Sequence, residues 1–227
     1  MKTSIAFLFL IIAVIVGSAL FRSGDKSAVH PIEGLPWQIE ILPNGETKVF
    51  GLIPARSTLD DARGRFGMDM EIAVIAAPGE SGSLEAYSSS VTTGVIMGKM
   101  ILVAAVDRET VARLRQRAVK AEYMDGATRK YILHPDDLAL AWRTPIAGIT
   151  FIPAVSLDEQ TVLRRFGVPG ERIRVDERIE HFLYPEKGLD LALDSKGKEV
   201  LQYVAPRQFA RLREPLINAA PVTTQSP

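Results

Sequence analysis

The sequence predicts an α+β protein, an N-terminal membrane helix followed by two related small units, each an antiparallel sheet with a helix packed on it. Three observations lead there. Residues 4–21 carry no charge, with Lys2 before them and Arg22 and Lys26 after. Farther along, short stretches alternate apolar and polar residues between turns rich in Gly, Ser and Pro, the period of half-buried strands. Finally, a helix-like stretch ending in Phe-Gly near residue 66 recurs 100 positions later.

The apolar start, SIAFLFLIIAVIVGSALF, would span roughly 27 Å as a helix, enough for one crossing. Two fates remain open for it. The uninterrupted apolar length favours a retained signal anchor, residues 1–21, whereas Gly17 and Ala19 are the small residues a signal-peptide cleavage site uses. Either way the chain is directed outward. The expected location is the inner membrane, single-pass, with the ectodomain in the periplasm and the bilayer contacted through residues 4–21. Residues 22–35 read as a linker.

The first α+β unit is expected over 36–106. It opens with a hairpin, WQIEIL at 37–42, turned by Asn44-Gly45 and returned by 47–52. A helix follows over 59–66 with Ser57 or Thr58 as its cap. Strands are expected at 72–76, 84–87, 91–96 and 100–106. Asp107 suits the N-cap of a helix to about Glu122, which opens a helical connector over 107–145. Val111, Leu114, Ala118 and Ala121 would share its buried side, and Arg113, Arg117 and Lys120 its basic side. His134, ahead of Pro135 and Asp136, suits a capping residue for a helix to about Trp142. The second unit, 146–204, carries a helix ending at Phe166-Gly167. Residues 205–227 read as a short helix and a flexible tail.

Composition narrows the function. Apolar residues make up 47% and charged residues 24% of 227 positions, which fits neither a disordered chain nor a polytopic membrane protein. With no cysteine, there are no disulfides, thiolate metal sites, cysteine nucleophiles or lipidated N-terminal cysteine. Lys plus Arg equals Asp plus Glu at 27 each, so net charge offers no case for nucleic acid.

The echo spans more than the helix. LDDARGRFG at 59–67 precedes Gly98-Lys99, and LDEQTVLRRFG at 157–167 precedes Gly197-Lys198, an offset of 100 for Phe-Gly and 99 for Gly-Lys. The second copy, LDEQTVLRRFGVP at 157–169 with EHFLY at 180–184 and LDLALDSKG at 189–197, resembles the small periplasmic domain of the outer-membrane-assembly lipoprotein (SmpA/OmlA-like) family. The resemblance implies a binding and scaffolding module of the envelope, without catalytic residues to carry over. Two departures stand out: no proline follows Gly67, and the lipidated cysteine is missing.

Catalytic motifs are thin. His181 shares a strand with Glu180, but neighbouring residues point to opposite faces, so the two cannot form a dyad through adjacency. Residues 94–100, GVIMGKM, lack the full phosphate-loop pattern, and Ser81 lacks the glycine spacing of a nucleophile elbow. No cofactor or metal is expected. The function expected is a protein-binding or assembly module with an envelope protein as partner and no nucleic acid; the alternatives are lipid or small-ligand binding and, third, an envelope hydrolase. Trp37, Arg113, Arg117, Lys120, Phe182 and Tyr184 are the expected partner contacts, since aromatics and arginines supply area and directed donors.

Overall fold

In the computed structural model, which describes residues 32–219, ten of twelve strands join a single antiparallel sheet. This corrects the expectation of two separate small sheets. The strands outside it, β1 (Glu40–Ile41) and β2 (Thr47–Lys48), form the early hairpin. The expected membrane helix at 4–21 and the tail from 220 onward lie outside the described residues, among which no helix is long and apolar enough to cross a membrane.

The sheet is built from two four-stranded meanders. In the first, α1 (Leu59–Phe66) leads into β3 (Glu71–Ala76), β4 (Ser83–Thr93), β5 (Ile96–Ala104) and β8 (Ile146–Pro153). In the second, α4 (Glu159–Phe166) leads into β9 (Glu171–Arg174), β10 (Ile179–Tyr184), β11 (Leu189–Asp194) and β12 (Val200–Val204). Their last strands, β8 and β12, pair antiparallel and fuse the halves. Residue 146 therefore begins the closing strand of the first half rather than a second unit.

Between β5 and β8 the chain inserts α2 (Arg108–Arg117), β6 (Lys120–Tyr123), β7 (Arg129–Ile132) and α3 (Pro135–Trp142). The inserted hairpin extends the sheet beyond β3, giving the order β6-β7-β3-β4-β5-β8-β12-β11-β10-β9. The helix expected to reach Glu122 stops at Arg117, because 120–123 pair with 129–132 around the turn at Gly126. Likewise the strands expected at 84–87 and 91–96 are one strand, β4, whose register shifts between Ser88 and Val91.

The 100-residue echo is structural in its helices. Both α1 and α4 are eight residues long. Thr58 accepts from the Asp61 backbone N–H and Asp158 from that of Thr161, and Gly67 and Gly167 end the helices at positive φ. One face of the sheet carries the core. Ile72, Ala86, Leu102, Ile149, Tyr203, Leu189 and Tyr184 form one cross-strand row on it. Phe50 packs over this row with ring centroids 5.3 Å from both Phe151 and Tyr203, and the Tyr203 hydroxyl donates to the Pro36 carbonyl at 3.0 Å. Burying each such Leu, Ile or Phe contributes about 1.5–3 kcal/mol. At Gly188, φ is 62° and a Cβ would lie 2.0 Å from the Val204 carbonyl oxygen, so the turn from β10 into β11 admits only glycine.

Candidate interaction surface

The opposite face of the sheet is unevenly covered. Its central row runs Glu71, Tyr87, Ile101, Thr150, Gln202, Asp190, Leu183 and Glu171, one residue from each of eight strands. The row is symmetric in its pairing. Thr150 faces Gln202 at the centre, Ile101 matches Asp190, Tyr87 matches Leu183, and Glu71 matches Glu171 at the two ends.

Over the second half this face is closed by α5 (Ala210–Ala219). Phe209, just ahead of the helix, joins Leu183 and Val204 in a separate buried cluster, with Ile173, Leu212 and Leu216 packed around it. Arg213 of α5 donates to both carboxylate oxygens of Glu171, at 2.6 and 3.0 Å, and these bonds hold the Glu171 carboxyl below its ordinary range. Over the first half no comparable helix lies on this face among the described residues. Tyr87 is 36% exposed, Met97 55%, and Ile101, Val103, Thr150 and Ile152 are half-buried. A groove of about 170 Å³ marks the border, lined by Val103, Gly148, Thr150 and Gln202 on the sheet and Arg211 and Leu212 on the helix.

Two titratable groups occupy matching places on this face. His181 pairs with Ile173 and Ala192 as Glu85 pairs with Ala73 and Val103. His181 Nδ1 lies 2.9 Å from both oxygens of Asp190, whose side chain is 2% exposed. With Asp190 ionised, the ring must carry its proton on Nδ1 to donate to it. That is the orienting half of an acid–base triad, and among the described residues no side-chain hydrogen bond reaches the ring at Nε2. The sequence does hold a signal for this pair. Once the turn sits at 185–188, positions 181 and 190 fall on the same face of neighbouring strands. Glu180, next to His181 in the chain, turns instead to Arg174 at 2.6 Å. In the first half, Glu85 accepts from the Ser83 hydroxyl, and burial pushes its carboxyl up. It lines a cleft of about 900 Å³ at the β3–β4 turn with Glu80, Ser81 and Arg108.

The six expected contact residues divide by burial. Phe182 and Tyr184 lie in the core, 0% and 4% exposed, because they fall on the face of β10 opposite Leu183, the face that carries the main core. They are removed as partner contacts. Tyr184 donates to the Gly167 carbonyl at 3.0 Å, and burial raises its hydroxyl pKa to about 12. Trp37 is half-buried, edge-on to Phe166 at 6.2 Å and under Arg165 at 4.7 Å. Arg113 and Arg117 are exposed on α2, where Arg117 donates to Asp137 of α3 at 2.9 Å. Lys120 lies on an edge strand instead of that helix and bonds Glu122 at 2.7 Å. Sequence reasoning missed Tyr87, Ile101 and Thr150, since each is an unremarkable strand residue until the sheet brings them into one row.

Among the described residues no group of three His, Cys, Asp or Glu side chains is placed to hold a metal ion. No family model, curated protein or solved structure matches the chain.

Proposed function

We propose that the chain is an envelope protein, held at the inner membrane through residues 4–21, whose periplasmic part binds a protein partner on the open first-half face of the sheet. One observation carries this reading: the second half closes the matching face with α5, whereas among the described residues no helix covers Tyr87, Ile101 and Ile152 in the first half. A half-apolar strip flanked by Glu71, Lys99 and Thr150 has the mixed chemistry of a protein interface, with an aromatic residue near its centre. The resemblance of 157–197 to an envelope scaffolding family agrees with it.

Photo-crosslinking in native membranes tests the proposal. The full chain carrying a photoreactive residue at Tyr87 or Ile101 is expected to give a discrete cross-linked product, and the same residue at the highly exposed Val168 none. Equal products at Val168, or none at 87 and 101, would overturn it. Cross-linking confined to Arg113 would move the contact to α2.

A further inference from the structure

The two ends of the ten-stranded sheet are finished differently. At β9 the free edge is dressed with ion pairs: Arg172 bonds Glu159 of α4 and Arg174 bonds Glu180 at 2.6 Å. Such charges discourage another strand from pairing there. At β6 the edge strand is flanked by exposed apolar side chains, Val119 at 57%, Tyr123 at 74% and Met124 at 48%.

The backbone of β6 also has an outward-facing set of groups. Met124 N–H donates to the Thr128 carbonyl at 2.8 Å, and the same register pairs Glu122 with Lys130 and Lys120 with Ile132. Bonded pairs recur at every second residue of an antiparallel ladder, so 120, 122 and 124 turn their groups toward β7. Ala121 and Tyr123 turn theirs to the open edge.

From this edge we infer that β6 pairs antiparallel with β6 of a second copy of this chain, with the two Ala121 residues opposite each other. Only side chains on the same face meet in that register. Lys120 of each copy lies across from Glu122 of the other, giving two opposite-charge cross-strand pairs, and the pairing ends before Val119, whose N–H turns back to the Ile132 carbonyl at 3.0 Å. The Ala121 N–H and carbonyl groups exchange bonds across the symmetry axis. A shift of one residue would set Lys120 across from Ala121 or Tyr123 and lose both charge pairs. Helix α2 packs on β3, so the helices of the two copies stand roughly five strand spacings, about 24 Å, apart and leave the edges free to meet. So short an edge buries less than the roughly 1,200 Å² of a stable complex, which makes the dimer weak in solution. This pairing uses a different surface from the proposed partner site and stands without it.

The cysteine-free chain makes the register measurable. Opposed Ala121 residues would have Cα atoms about 5.5 Å apart, within disulfide range, whereas the two Tyr123 residues would be roughly 13 Å apart along the strands. Under mild oxidation of the full chain in detergent, Ala121→Cys is expected to give at least 10-fold more disulfide dimer than Tyr123→Cys, although Tyr123 is the exposed site. In sedimentation of chains without an added cysteine, Glu122→Lys is expected to reduce the dimer several-fold, and the exchange Lys120→Glu with Glu122→Lys to restore it. As much cross-linking at 123 as at 121, or a charge exchange that fails to restore a dimer lost in Glu122→Lys, would overturn the inference. So would an unmodified chain that stays monomeric at about 1 mM.

Discussion

Two halves with the same strand order treat the same face of the sheet in opposite ways. Where the second half packs Ile173 and Leu183 against α5 and sets the His181–Asp190 pair on the same face, the first half has Ala73, Tyr87, Glu85 and Ile101, over which no helix lies among the described residues. The terminal glutamates show it too: Glu171 is held by Arg213 from the covering helix, Glu71 by Lys130 from the neighbouring strand. A repeated scaffold thus supplies one face closed by a helix, which stabilises, and one more open face, the one proposed here to bind.

The largest expected effect tests whether His181 and Asp190 belong to the closed half's stability. His181→Ala leaves a nearly inaccessible carboxylate without its partner and is expected to cost about 3–5 kcal/mol, against less than about 1 kcal/mol for Glu85→Ala at the matching place. Denaturant unfolding measures both, and equal costs would break the comparison. Phe209→Ala comes next, at about 3 kcal/mol, because it empties the buried cluster under α5. Hydrogen exchange should then quicken in α5 and β10 but not in β3 and β4; a uniform change would mean that the halves do not differ in this way.

The smallest effect is a difference of sign with pH. The Glu171 carboxyl is depressed by Arg213, so its contribution is full above the unfolded value of about 4.5 and is lost as pH falls through the lower folded value. Partly exposed, this pair contributes only about 0.5 kcal/mol. Burial raises the Glu85 carboxyl, so ionising it opposes folding as pH rises through 4.5 toward the folded value. At pH 7, Glu171→Gln should lower Tm and Glu85→Gln raise it, each on the order of 2 °C, and both differences should shrink near pH 3. Shifts of the same sign at pH 7 would erase the distinction.

Local structure was legible in the sequence wherever short-range chemistry decides it. Thr58 and Gly67 bracket α1, His134 caps α3 by accepting from the Asp136 N–H, and Asn44-Gly45 turns the first hairpin. What the sequence hid depends on distant pairing. Ala118 and Ala121 fit a helical face, yet 120–123 go to a strand because Arg129–Ile132 offers a ladder. The union of the halves rests on Leu201 meeting Phe151 and Tyr203 meeting Ile149, fifty and more residues apart, which no local pattern announces. The site was hidden for the same reason, since its row takes one residue from each strand.

The insertion between β5 and β8 also bears on the order of folding. In the second half each strand is followed closely by its neighbour, and only residues 195–199 separate β11 from β12. In the first half residues 105–145 intervene before β8 can return to β5. Closing a loop about eight times longer costs roughly 2 kcal/mol more if the insertion is still unstructured. The second half, with its local contacts, is therefore the faster nucleus, and β8 gains a template on either side once β12 is in place. The half that reaches the solvent first during synthesis would be the last to close.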